Sequence, residues 1–168
     1  MKYILETERL QLREFTLQDT AFLIELMNSP GWLKYIGDRN VKSEEQARSY
    51  LLNGAIKSYA EKGYGFWLVE SKTENKAVGM CGITHREFLD DPDIGFAFLP
   101  EFAGRGYALE SAEATMQYAK NTLHIPRISA ITVSDNDRSV RLLKKIGLSF
   151  KNTFCFPGSE EELLLFSN

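Results

Sequence analysis

Two stretches of the chain combine residue types that can do chemistry. The first is Leu99–Pro100–Glu101–Phe102–Ala103–Gly104–Arg105–Gly106–Tyr107–Ala108, where two glycines separate a strand-like run from a helix-like one. Glycine accepts the left-handed conformations of tight turns, so successive backbone N–H groups can converge there. The positive end of the following helix adds to them. Such a turn suits a pyrophosphate; it suits a plain strand-to-helix connection equally well. Two nucleotide readings fail. A P-loop needs Gly-Lys and then Ser or Thr, but Gly106 is followed by Tyr107, and a dinucleotide fingerprint needs Gly or Ala at 109, which is Leu109. The second stretch, Val133 to Leu148, ends a strand, presents Asn136, and then opens a basic helix with Ser139 among Arg138, Arg141, Lys144 and Lys145. Taken alone, Asn136 caps a helix and Ser139 is a polar first-turn residue.

These stretches need a scaffold, and the chain has the material for one. Its 168 residues suit one domain spanning 1–168, because cores grow by adding domains only beyond roughly 250 residues. At 43% hydrophobic and 12% aromatic, it can bury a sizeable core, which excludes wholesale disorder. Twenty Lys and Arg against 23 Asp and Glu leave a net charge of −3. That is a poor match for a polyanion, so no nucleic-acid partner is expected. No run approaches the roughly 20 apolar residues of a membrane helix. Met1 to Glu8 mixes charges where a leader would be apolar, so a cytoplasmic protein without a membrane partner is expected. Cys81 and Cys155 lie in apolar runs and read as buried free thiols. Two Cys and two His at unrelated positions do not make a zinc site, and no metal is expected.

The periodicity changes several times, which argues for mixed α and β structure. Leu10–Arg13 alternates like a strand. A helix is predicted from Thr16, with Asp19 as capping partner and Phe22, Leu23, Leu26 and Met27 on one face, ending at Asn28–Ser29–Pro30–Gly31. Ser43 and Gln46 form a capping box for a second helix reaching Ala60. Phe66–Val69, Ala77–Ile83 and Ile94–Leu99 are consecutive strands, so an antiparallel meander is expected, its central strands covered on both faces. A helix over 108–122 follows the glycine turn. Then come a strand over 127–133, a short helix over 138–146 ended by Gly147, and a hairpin of 148–156 with 163–166. The apolar run Leu163–Phe166 can close the core or form an edge covered by a partner, so monomer and homodimer both stay open.

Together the two stretches and the order of elements resemble the GNAT acetyltransferase superfamily. Its phosphate turn, Gln/Arg-x-x-Gly-x-Gly/Ala, lands on Ala103, Gly104, Arg105, Gly106, Tyr107 and Ala108. Its later pattern, Asn-x-x-Ser-x-x-Leu-x-x-Lys-x-Gly-Phe/Leu, lands on Asn136, Ser139, Leu142, Lys145, Gly147 and Leu148. The resemblance is closest to the Rim-type branch, named for acetylation of ribosomal-protein N-termini. That branch is also visible in Tyr35–Ile36–Gly37–Asp38–Arg39, Gly79–Met80–Cys81–Gly82 and Asp93–Ile94–Gly95–Phe96. Two positions depart from the pattern. Ala103 stands where Gln or Arg opens the phosphate turn. Leu143 stands where many GNAT enzymes carry the Tyr that protonates the departing thiolate, and the Rim-type branch looks instead to the Ser that Ser139 matches.

The resemblance implies an α/β (α+β) fold, a mixed, largely antiparallel central sheet flanked by helices on both faces. It implies an enzyme that moves the acetyl group of acetyl-CoA directly to a primary amine, either a peptide or protein N-terminus or a small molecule. Backbone N–H groups of the Gly104–Ala108 turn would hold the pyrophosphate, and the backbone of Phe98 and Leu99 would pair with pantetheine. Asn136 would bond the pantetheine arm, Ser139 would donate to the leaving sulfur, and Arg138, Arg141 and Lys145 would neutralise phosphates. An alkylamine has a pKa near 10 and must lose a proton before it attacks. Asp93, Glu87, His85 and the run Glu160–Glu161–Glu162 are the candidate bases, Asp93 first because it matches an acidic position opening a Rim-type strand. The acceptor pocket is expected near Trp32, Tyr35, Trp67 and His85, and the net negative charge favours a cationic acceptor by steering. A non-catalytic acyl-CoA-binding or sensor domain of the same fold is the alternative, with Leu143 in its favour.

Overall fold

The meander forms the middle of an eight-stranded sheet in a computed structural model that describes residues 1–168. The chain runs β1 (Tyr3–Glu6), β2 (Leu10–Glu14), α1 (Thr20–Met27), α2 (Pro30–Tyr35), α3 (Glu44–Asn53) and α4 (Ala55–Lys62). It continues through β3 (Phe66–Ser71), β4 (Lys76–Thr84), β5 (Asp93–Phe98), α5 (Tyr107–Asn121), β6 (Ser129–Val133), α6 (Asp137–Lys145), β7 (Ser149–Cys155) and β8 (Glu162–Ser167). The sheet order is β1-β2-β3-β4-β5-β6-β8-β7. Every pairing is antiparallel except β5 with β6.

That exception opens the molecule. The parallel ladder between β5 and β6 consists of one pair, Asp93 with Ser129, and beyond it the two strands separate. A parallel join also needs a long crossover, which α5 supplies. Its buried Ser111, Ala112, Thr115 and Ala119 are small, so the helix lies close against one face of the sheet. Cys81 of β4 meets Thr115 there at 3.4 Å, and Trp67 of β3 packs edge-on against Tyr118 at 5.5 Å. Side chains alternate along a strand, so Met80, Thr84 and their cross-strand partners Ala97 and Asp93 occupy the opposite face, where the candidate site lies.

Several elements differ from the sequence expectation. Tyr3–Glu6 is a strand; its mixed charges suit a half-exposed edge. α1 starts at Thr20 because Asp19 is tied to Thr16 and Arg13 in the turn before it. Pro30, read as a helix stop, is the first residue of α2, where its missing N–H costs nothing. The Ser43–Gln46 capping box is present, but the helix it opens breaks at Gly54 (φ −107°, ψ −102°) into α3 and α4. The strand containing Leu163–Phe166 is no edge: β8 is paired on both sides, with β6 and with β7. β7 takes the edge instead and leaves Cys155 exposed. Cys81 is buried as expected, and burial pushes its thiol up to about 11, which makes it an inert core residue.

Candidate active site

The gap between β5 and β6 leads into a cavity of about 290 Å³ whose wall includes Asp93, Phe98, Asn136, Ser139 and Leu143. Asp93 opens β5 and is 1% exposed. Arg86 Nε lies 3.3 Å from Oδ2 without forming a hydrogen bond, so neither carboxylate oxygen has a hydrogen-bond partner. An unbonded buried carboxylate is costly. Burial pushes the Asp93 carboxyl up to about 6, against the pull of Arg86 and His85.

β5 presents two kinds of backbone. The Leu99 N–H donates to the Val78 carbonyl at 3.0 Å, which sets the alternation of the antiparallel ladder. Gly95, Ala97 and Leu99 turn their N–H and C=O toward β4, while Phe96 and Phe98 turn theirs toward the gap. The Leu99 carbonyl also accepts from Phe102. Leu99 is thus fully engaged within the protein, and the strand-like pairing expected of Phe98 and Leu99 is available to Phe98 and Phe96.

The glycine turn follows a 3₁₀ turn at Pro100–Phe102. Gly104 and Gly106 have φ of +77° and +82°, left-handed values that favour glycine. The Ala103 N–H closes the 3₁₀ turn on the Pro100 carbonyl. From Gly104 through Arg105, Gly106, Tyr107 and Ala108 to Leu109, no backbone N–H finds an acceptor in the protein, and the last three belong to the first turn of α5. Six free donors at a helix N-terminus fit a diphosphate. The side chains face elsewhere: Arg105 is paired with Glu74 at 2.5 Å and lies over Phe102, and the Tyr107 ring is buried.

Asn136 is the N-cap of α6, its Oδ1 accepting from the Ser139 N–H at 3.2 Å. This leaves its amide NH₂ as a donor on the cavity wall. Ser139 is half-buried and its hydroxyl makes no hydrogen bond within the protein. Lys145 lies at the other end of α6, about 13 Å along the axis from Asn136, exposed and outside the cavity; Arg138 and Arg141 are exposed too. Of the expected acceptor residues, Trp32 and Tyr35 line the cavity. Trp67 does not, because its place on β3 turns it toward α5. His85 and Glu87 border a second, open groove of about 870 Å³, which meets the cavity at Arg39, Tyr50, Phe66 and Met80. Glu160–Glu162 lie exposed around the β7–β8 turn, away from both. Sequence reasoning missed Arg86, Phe96 and Tyr50. Only Phe96 left a signal, its two-residue spacing from Phe98.

Comparison with known proteins identifies the family. A family model described as an acetyltransferase (GNAT) domain matches residues 9–149. An uncharacterised N-acetyltransferase of Bacillus subtilis, YoaA, is 33% identical over 149 residues, covering 86% of this chain and 81% of its own. The solved GNAT-family acetyltransferase of Bacillus anthracis is 27% identical, with a TM-score of 0.81 over 99% of this chain and 97% of that one. RimL, a ribosomal L7/L12 α-N-protein acetyltransferase solved with coenzyme A, superposes with a TM-score of 0.84 over 99% and 97% of the two chains at 19% identity, a likeness of fold. The chain belongs to the GNAT family and is an acetyltransferase; the acetyl donor of that family is acetyl-CoA.

Proposed function

We propose that this enzyme acetylates the α-amino group of a peptide or protein, using acetyl-CoA as donor, with Asp93 as the general base. The observation that carries the reading is Asp93 itself: a buried carboxylate without hydrogen bonds, on the wall of the cavity that also holds Phe98, Asn136 and Ser139. A domain that only bound acyl-CoA would gain nothing from a buried carboxylate whose lone pairs are left without hydrogen bonds, so its presence tells against the sensor alternative.

Acetyl-CoA supplies an acetyl thioester, and the chain's own groups divide the remaining work. The free N–H groups from Gly104 to Leu109 hold the diphosphate, while Phe96, Phe98 and the Asn136 amide hold the pantetheine arm. Asp93 takes the proton that the amine nitrogen sheds as it forms its bond to the acetyl carbon. The Ser139 hydroxyl donates a hydrogen bond to the sulfur as the C–S bond breaks. An aliphatic alcohol is a poor acid, so the thiolate takes its proton from water. Leu143 is buried in the cavity wall and adds no acid.

The strength of the base selects the acceptor. A carboxylate with a pKa of about 6 lies about two units below an α-amino group and more than four below a lysine-type amine. Each unit of mismatch costs about 1.4 kcal/mol in proton transfer, which favours the α-amine. The open groove gives room for the residues that follow it. Charges along the groove nearly balance, Arg39, Lys57 and Lys62 against Glu61 and Glu87. It therefore offers no trap for a polyamine, and the overall −3 charge does not translate into local attraction. The test is thiol release from acetyl-CoA with short peptides bearing free or blocked N-termini and with spermidine. Free-N-terminus peptides should give the highest kcat/KM; a higher value with spermidine overturns the acceptor assignment.

A further inference from the structure

Arg9, in the turn between β1 and β2, reaches across roughly a hundred residues of sequence to the glycine turn. Its Nη1 donates to the Arg105 carbonyl at 2.8 Å, and its Nε donates to Glu110 Oε2 at 2.7 Å. Its backbone N–H donates to Glu110 Oε1 at 3.0 Å. The guanidinium lies 4.7 Å from the centre of the Tyr107 ring, and Nη2 is so close to Gly106 that a Cβ there would sit 3.2 Å from it. Thr7 completes the cluster by donating its hydroxyl to Glu110 Oε1 at 2.5 Å.

Two physical consequences follow. In a trans peptide the C=O and the next N–H point in opposite directions. Holding the Arg105 carbonyl on the Arg9 side therefore turns the Gly106 N–H to the other side, where the protein provides no acceptor. Glycine at 106, which adjoins this peptide, leaves it free to flip, so something must choose its orientation, and Arg9 is the group that bonds it. The second consequence concerns charge. Glu110 stands in the first turn of α5, where an unpaired carboxylate would repel a phosphate at the helix N-terminus. Burial alone would raise its pKa, but hydrogen bonds from Thr7 and Arg9 and the guanidinium charge carry it below the ordinary range. The Glu110 charge is thus present and neutralised by Arg9.

We infer that Arg9 is a positioning residue for the diphosphate end of acetyl-CoA, fixing the Gly106 N–H toward the ligand and cancelling the Glu110 charge. The inference rests on the phosphate-turn reading proposed above. Arg9 stays out of the cavity that holds Asp93 and Ser139, so it acts on the diphosphate end of the donor and not on the chemical step.

The experiment compares two donors, acetyl-CoA and S-acetylpantetheine, which lacks the diphosphate. Wild-type enzyme should prefer acetyl-CoA strongly in kcat/KM. In Arg9→Lys, which keeps a cation but loses the forked geometry, KM for acetyl-CoA should rise about 10-fold, the worth of one charge-assisted hydrogen bond. The kcat at saturation and the kcat/KM for S-acetylpantetheine should both stay within about twofold. Glu110→Gln, which keeps the side chain's shape but removes the negative charge that Arg9 cancels, should lower KM for acetyl-CoA by about threefold, and it decides the matter if Arg9→Lys does not fold. An Arg9→Lys enzyme that retains the full wild-type preference for acetyl-CoA overturns the inference, as does a Glu110→Gln enzyme whose KM for acetyl-CoA rises, or an equal loss with both donors, which would mark a purely structural role. Wild-type enzyme without any preference overturns the phosphate-turn reading first.

Discussion

Asp19 and Asp93 are both withdrawn from water at the end of a regular element, and their surroundings could hardly differ more. Asp19 receives both arms of the Arg13 guanidinium, at 2.9 and 2.8 Å, and the Thr16 N–H at 2.7 Å. Arg13 is shared with Glu70 at 2.8 Å. Burial alone would push the Asp19 carboxyl up, but the bonds from Arg13 and Thr16 and the guanidinium charge hold it below the ordinary carboxylate range. Asp93 is more deeply buried, has Arg86 nearby without a hydrogen bond, and titrates at about 6. The same side chain is structural where its lone pairs are filled and chemical where they are left open. A filled carboxylate cannot accept a substrate proton; an unfilled one destabilises the fold in return for that capacity.

The comparison breaks most visibly at Asp93→Asn. Its kcat at pH 7 should fall by about 100-fold or more, the range for loss of a general base, while wild-type kcat/KM should show an acid limb near pH 6 that the variant lacks. Stability should move the opposite way. A raised folded pKa means that wild-type protein loses stability as pH climbs from about 4 through 6. Asp93→Asn escapes that loss, so chemical denaturation should show it matching wild type near pH 4 and exceeding it by about 3 kcal/mol at pH 7. Asp19→Asn should do the reverse. Its lowered folded pKa stabilises the protein above about pH 4, and that contribution is lost progressively as pH falls below the ordinary carboxylate range. The substitution should cost about 3 kcal/mol at pH 7, measured by urea unfolding, because it breaks a buried pair; kcat per folded molecule should be unchanged. Ser139→Ala should lower kcat about 10-fold and spare KM for acetyl-CoA, the pattern of a contact made in the transition state; equal losses in both would make Ser139 a cap residue only. Smallest is Arg86→Gln, which should shift the acid limb to higher pH by removing a positive charge that favours ionised Asp93, with little change in kcat on the alkaline plateau.

How much of this was legible in the chain depended on the range of the interactions. Short-range signals read correctly: the Ser43–Gln46 capping box, Gly147 with φ +93° after α6, and the strand–glycine–helix order around Gly104. Asp93 was visible as an acidic residue opening a strand, but its lack of hydrogen-bond partners depends on how β5, β6 and the Arg86 loop assemble. Trp67 reads as an acceptor-side residue because β3 is covered on both faces, so its apolar run has no polar alternation to show which residues face α5. The break at Gly54 leaves no clear mark in the sequence because one glycine in a helical pattern is tolerated. Its Cβ position lies 2.8 Å from the Tyr50 carbonyl, which explains why only glycine allows the break there. Arg9 gave no signal, since both its partners lie about a hundred residues away.

The opened ladder between β5 and β6 also has a consequence for hydrogen exchange. β5 lies in the middle of the sheet, where a strand is ordinarily protected from end to end. Here the amides of Gly95, Ala97 and Leu99 are locked to β4 while those of Phe96 and Phe98 face the gap. Protection should therefore alternate residue by residue along a central strand, with Phe96 and Phe98 exchanging as a loop would. A molecule lying along the gap would slow these two amides and leave their neighbours unchanged, so occupancy could be followed at two backbone sites without measuring turnover.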